Sequence, residues 1–354
     1  MLGFWVLLDA ARKAQASALS AWAASPPRRA RAEIAGGPFW RVLEVTPGSC
    51  APPVLLVPAP IKRATILDLA PGASLVDRLA TLGFRVFLLE WREPTAGEGG
   101  LGLEAYAGRA LAEAAAAVAA RTGAAPWLVG HSLGGTFATI AGLLRPESVR
   151  GLVLVHAPLA FAPGSSPFRD ALVRSAPGLL PAHGLVPGSL LSLVSAASAP
   201  ATFVGERAAD ALACAGDPEA RARHLGVERW TLEEVALPAA LVRDVVGRLW
   251  QEDALARGTL VLAGERLGPD RLAVPLLAIA SPADAIAPPA AVAPFLEAVR
   301  RPVPARLVRW PRERGTVFAH LAAVLGPRAH ARLWPAVRRW MAARPAGEPA
   351  RAQR

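Results

Sequence analysis

The stretch WLVGHSLGGTFA, residues 127–138, decides the fold. An apolar run preceded by Pro126 turns at once into glycines and then into small and apolar residues, so the segment reads as strand, turn, helix. Gly130, Ser132 and Gly134 complete a G-x-S-x-G pattern at that turn. A serine placed there occupies a strained corner that projects its hydroxyl beyond the sheet, and the flanking glycines let neighbouring backbones approach without a Cβ clash.

Outward from this element the same rhythm repeats. Short apolar runs at Trp40–Val45, Val54–Val57, Arg85–Glu90, Leu152–His156, Pro275–Ala280 and Ala305–Trp310 read as strands. Helical spacing fills Ser74–Leu82, Leu103–Arg121, Leu133–Leu144, Pro289–Val299 and Ala329–Ala342. Runs such as VLLV and LVLV do not alternate with polar residues, which predicts strands buried on both faces. The expected class is α/β, with a mostly parallel, doubly wound sheet.

The alternation stops between Pro158 and Leu272, where no clear strand is read. The expected organisation is a helical lead-in over 1–36, a core formed by 37–157 and 273–343, a largely helical cap over 158–272 inserted before the acid-bearing strand, and a disordered tail over 344–354. The cap holds an uncharged segment, Ser175–Gly205, which suits either a lid that meets an apolar chain or a helix buried on the sheet. Its four prolines break any helix long enough to span a bilayer, and no transmembrane segment is expected.

Composition narrows the class. The 354 residues carry 39 Lys+Arg against 28 Asp+Glu, a net charge of +11, yet Lys13 and Lys62 are the only lysines. An arginine excess beside abundant Ala, Gly and Pro reads first as a coding habit, and no clustered basic helix or aromatic-basic interleaving supports a nucleic-acid partner. Two cysteines, Cys50 and Cys214, cannot build a disulfide framework; without a CxxC or Cys/His cluster no metal or other cofactor is expected, and a reducing, cytoplasmic setting fits. MLGFWVLLDAARKAQ lacks a basic leader and reaches Asp9 early, so it reads as a docking helix rather than an export signal.

A serine hydroxyl is a poor nucleophile until a base takes its proton, and in this architecture acid and histidine follow the serine in that order. His131 lies within the elbow pointing away from the serine, His156 ends a strand before the acid, His183 and His224 fall in the cap, and His330 sits on the last helix. His320, in FAHLAAVLGPRAHARLWP, remains as the base. The strand PLLAIA runs into SPADAIAPP, which places Asp284 on the loop at a strand's carboxyl end, with Asp170 and Asp253 as fallback acids. An oxyanion hole would use the N–H of Leu133 and a second from PAPIKRATILDL, where Pro58 and Pro60 have none to give; Ala59 and Ile61 remain, with Ile61 favoured. Phe203, Trp230 and Trp250 are candidate pocket aromatics, read first as packing.

That loop, read on through VLLVPAPIKRATILDLAPGASLVDRLATLGFRVFLLEWREP, resembles polyhydroxyalkanoate synthases, with its ILDL, SLV and G-x-x-VF-x-x-x-WR elements in register. PADAIAPP resembles their catalytic-acid loop, and AHLAAVLGPRAHARLWP their histidine segment. The resemblance implies an α/β-hydrolase fold, triad positions at Ser132, Asp284 and His320, and a 3-hydroxyacyl thioester or polyester as substrate. Partners would be an acyl ester or acyl-CoA, or a polyester granule surface.

Two departures stand out: the synthases use cysteine where this chain has Ser132, and usually carry a histidine where it has Ala285. A serine forms an oxyester, from which return to CoA is uphill, so the expectation leans to hydrolysis or transfer to an alcohol. The alternatives are a generic carboxylesterase or lipase on small or medium esters, and a non-catalytic granule- or partner-binding protein with a vestigial triad.

Overall fold

The computed structural model describes residues 2–27, 29–48, 51–175 and 181–344. Eight strands form the main sheet: β1 Ala32–Gly36, β2 Trp40–Glu44, β3 Pro53–Val57, β4 Arg85–Trp91, β5 Trp127–His131, β6 Gly151–Val155, β7 Leu276–Ala280 and β8 Ala305–Arg309. Their spatial order is β1-β2-β4-β3-β5-β6-β7-β8. The first two pairings are antiparallel, and from β4 to β8 every pairing is parallel. Such a sheet needs crossovers that place helices on both faces, which is the α/β-hydrolase architecture.

Strands β3, β5, β6 and β7 are buried along their whole length, as their unbroken apolar sequences require. The pleat sends alternate residues to opposite layers. Leu55, Leu128 and Leu154 join one core with Phe137, while Val54, Leu56 and Val153 join the other with Trp127 and Trp334.

The helices are α1 Leu2–Leu19, α2 Leu75–Thr81, α3 Leu111–Thr122, α4 Leu133–Leu144, the cap's α5 Pro167–Ser175, α6 Gly188–Ser198, α7 Arg207–Cys214, α8 Pro218–Leu232 and α9 Ala239–Asp244, then α10 Ala293–Glu297, α11 Ala322–Leu325 and α12 Trp334–Ala342. Their ends follow local chemistry. The Ser74 hydroxyl accepts the Asp77 N–H at the start of α2, Asp217 caps α8 ahead of Pro218, and α3 stops where Gly123 turns to φ +75°.

Three details depart from the sequence reading. The segment read as lead-in enters the sheet at Ala32, because the short edge strand AEIAG carries too little apolar alternation to announce itself. The cap holds two small strand pairs, Leu185–Val186 with Leu237–Pro238 and Leu260–Leu262 with Glu265–Leu267. Two or three residues display no period, and the second pair turns at Ala263 and Gly264, both at positive φ, where Ala is an uncommon choice. The helix expected over Leu103–Arg121 begins as a wider π-helical stretch, Glu104–Ala110.

The first helix docks on the cap. Asp9 accepts the Ser189 N–H at 2.8 Å, and Arg12 pairs with buried Glu234 at 2.6 Å. Arg29 and Arg31 both pair with fully buried Asp68, at 3.1 and 2.7 Å. Among the described residues no single helix is long and apolar enough to cross a membrane; α6 and the helical segment Ala201–Cys214 pass that test only together and meet at 98°. Part of the uncharged 175–205 segment, all of the 344–354 tail except Arg344, and Arg28 and Cys50 lie outside the described residues.

Candidate active site

Ser132 follows the last residue of β5 and precedes the first of α4, with φ 55° and ψ −134°. This is a conformation that L-residues rarely adopt, and it persists only where the surroundings enforce it. Here the Ser132 N–H donates to the Val155 carbonyl at 3.0 Å, and the Ser132 carbonyl accepts the Gly135 N–H at 2.9 Å. The glycines are sterically required. A Cβ on Gly134 would run into the backbone oxygens of Val57 and Pro58, and one on Gly130 into the backbone of Gly135.

His320 sits on the short turn Ala319–Leu321 and directs Nδ1 to Asp284 Oδ2 at 2.7 Å. Asp284 lies on the loop after β7; its N–H donates to Ser281 and its Oδ1 accepts the Ile286 N–H at 2.9 Å. Burial pushes this carboxyl up, but the two imidazoles facing it outweigh that and hold it well below the usual carboxylate range. Of the fallback acids, Asp170 pairs with Arg169 at 2.9 Å and Asp253 accepts the Phe161 N–H at 2.6 Å, while His320 bonds Asp284.

The second imidazole on Asp284 is His156, whose Nδ1 lies 3.1 Å from the same Oδ2. In the sequence it is set aside because it ends a strand that precedes the acid. The signal available was its position: β6 neighbours both β5 and β7, so the residue after β6 emerges between serine and acid. His131 also lies closer than expected, its ring 5.1 Å from that of His320 and its Nε2 3.3 Å from the His320 carbonyl. Burial, with the neighbouring rings of His320 and His156, drives its pKa down to about 3, so it stays neutral. The ligand atoms of His156, Asp284 and His320 lie within 4.8 Å of one another, close enough for an ion, yet both imidazole Nδ1 atoms already point at one carboxylate oxygen over hydrogen-bond lengths.

Ser132 and His320 open onto a common cavity of about 390 Å³. Leu133, Ala59 and Ile61 line it, as do Phe203, Trp230 and Trp250. As the first residue of α4, Leu133 has an N–H without an acceptor inside the helix. Apolar lining comes from Leu191, Val194, Leu241 and Val245. Arg12, Lys62, Arg63 and Arg207 line the cavity as well. Lys62 is tied to Glu234 at 3.2 Å, to Ser192 and to the Thr231 carbonyl, and burial lowers its pKa to about 8.

The loop that carries His320 is held from the cap. Asp210 Oδ1 on α7 accepts the Gly315 N–H at 2.8 Å, and Glu206 Oε2, just before α7, accepts the Ala319 N–H at 3.0 Å. Between these anchors Val317 takes φ 62°, a marked outlier for a β-branched residue.

Comparison with known proteins agrees with this fold. The α/β hydrolase fold family matches residues 52–178. A poly(3-hydroxyalkanoate) polymerase subunit PhaC from Haloferax mediterranei is 29% identical over 300 residues, covering 82% of this chain and 59% of that protein. The PhaC subunit of Haloarcula marismortui is 26% identical over 302 residues, covering 83% and 62%. The chain therefore spans about three fifths of the length of these curated relatives. Among solved structures, naproxen esterase (carboxylesterase NP) from Bacillus subtilis shares the fold with a TM-score of 0.52 at 15% identity, covering 94% of this chain and 98% of that one. The fold is that of an α/β-hydrolase, and in sequence the chain is similar to poly(3-hydroxyalkanoate) polymerase subunits.

Proposed function

We propose that this protein is a serine-dependent acyl-transfer enzyme, a hydrolase or acyltransferase, that forms an acyl-Ser132 intermediate from a 3-hydroxyacyl thioester or polyester in a reducing, cytoplasmic setting. The observation that carries the reading is the Asp284–His320 pair at 2.7 Å opening, together with strained Ser132, onto one largely apolar cavity. The PhaC names of the sequence relatives support the substrate class.

In this mechanism His320 Nε2 takes the Ser132 proton as Oγ attacks the acyl carbon, and Asp284 holds the ring with Nδ1–H toward itself and balances the imidazolium. The N–H groups of Leu133 and Ile61 receive the oxyanion. His320 then returns the proton to the leaving thiolate or alkoxide, and water or an alcohol accepts the acyl group by the same steps in reverse. The apolar cap wall holds the acyl chain.

Incubation with 3-hydroxyacyl-CoA followed by intact-protein mass spectrometry is expected to show an acyl adduct that peptide mapping assigns to Ser132. A fluorophosphonate is expected to label the same residue, and Ser132→Ala to abolish labelling and turnover. Labelling that survives this substitution overturns the proposal.

A further inference from the structure

His156 combines two unfavourable features. Its backbone sits at φ +50°, and its fully buried ring leaves Nε2 without a hydrogen-bond partner among the described residues. Strain and an orphaned polar atom at one residue persist when something else at that position compensates.

The protonation state of the ring follows from its neighbours. Nδ1 lies 3.1 Å from an ionised carboxylate oxygen, so Nδ1 carries the hydrogen. Burial pulls the imidazole pKa down against the attraction of Asp284, which favours the uncharged ring. His156 is therefore a donor to Asp284 Oδ2, the oxygen that also accepts from His320 Nδ1 at 2.7 Å.

One oxygen serving two donors is less basic toward either. We propose that His156 is a positioning residue that aims Asp284 Oδ2 at His320 and shares that oxygen's charge, so that its pull on the His320 proton is weaker than that of an unshared carboxylate. The groups facing His320 fit this assignment. His131 from β5 is neutral, His156 and Asp284 come from the loops after β6 and β7, and the cap contributes Glu206, paired with Arg312, beside Ala319. Arg12, Lys62, Arg63 and Arg207 line the shared cavity, with Arg12 and Lys62 paired to Glu234, Arg63 to Glu93 and Arg207 to Glu228.

The inference rests on the reading of His320 as the base, and its test separates the two. His156→Phe removes the donor while filling the space; His156→Asn retains one, since its amide nitrogen occupies nearly the place of Nδ1. Ring NMR of histidine-labelled protein, with the His320 signal assigned through His320→Gln, reports the titration midpoint directly. Fluorophosphonate labelling against pH reports its consequence at Ser132.

The midpoint in His156→Phe is expected to rise by about one pH unit, a tenfold change in the protonation equilibrium. The acid limb of the labelling profile should follow it, and His156→Asn should restore both toward the parent. Should His156→Phe not fold, His156→Leu carries the same test. A midpoint unmoved by loss of the donor, or moved equally by Phe and Asn, overturns the inference. A shifted midpoint in a protein whose parent never labels at Ser132 leaves His156 in this role and removes the acyl-transfer reading instead.

Discussion

Asp284→Asn tests the site with the smallest change of shape. In the parent, Oδ2 accepts from His320 Nδ1 at 2.7 Å and His156 Nδ1 at 3.1 Å, while Oδ1 accepts the Ile286 N–H at 2.9 Å. An amide cannot satisfy all three. With its NH2 toward the rings, both imidazoles must present a bare Nδ1 and carry hydrogen on Nε2, where His320 can no longer take a proton from Ser132. With its oxygen toward the rings, the NH2 opposes the Ile286 N–H and no negative charge remains to balance an imidazolium. The corresponding exchange in a Ser-His-Asp triad lowers the rate by about 10⁴, which at about 1.36 kcal/mol per decade is roughly 5.5 kcal/mol of barrier. The expected result is a fall of that order in the second-order rate of fluorophosphonate labelling at pH 7, with the urea unfolding midpoint measured alongside to confirm a folded protein. Labelling within tenfold of the parent in a folded Asp284→Asn variant would refute the reasoning, because the carboxylate would then neither orient nor stabilise the base.

Two further outcomes follow from the packing and the buried charge. Gly134→Ala is expected to lower stability in urea by about 1–3 kcal/mol and to slow labelling of Ser132, since its methyl meets the Val57 and Pro58 carbonyls; Gly205→Ala, with nothing within 4 Å, is the neutral control. Burial lowers the Lys62 pKa from its ordinary 10.5 to about 8, so between those limits the unfolded chain binds the extra proton and stability rises with pH. Lys62→Met should flatten that rise in urea midpoints measured from pH 8 to 10, and an unchanged slope would show that the ammonium is solvated.

The parallel core was legible because its strands are buried on both faces and its helices punctuated: LVLV and VLLV cannot be half-exposed strands, and Gly130, Ser132 and Gly134 mark a turn that needs small neighbours. Asp284 and His320 were readable from chain order and from the ends of strands, and the structure brings those two together. What was not legible depends on contacts distant in sequence. His156 and Asp284 are 128 residues apart and meet because β6 and β7 pair, a fact of topology with no local trace. The two- and three-residue strands of the cap failed for the opposite reason: they are too short to show a period and exist because tertiary packing brings their partners alongside.

The carboxylates of Glu206 and Asp210 hold backbone amides on either side of Val317, a few residues ahead of the imidazole. A cap that swings far enough to release those amides frees the twisted valine to unwind, and the ring downstream loses its aim. On the proposed reading, cap position and the alignment of the imidazole are thus one mechanical variable.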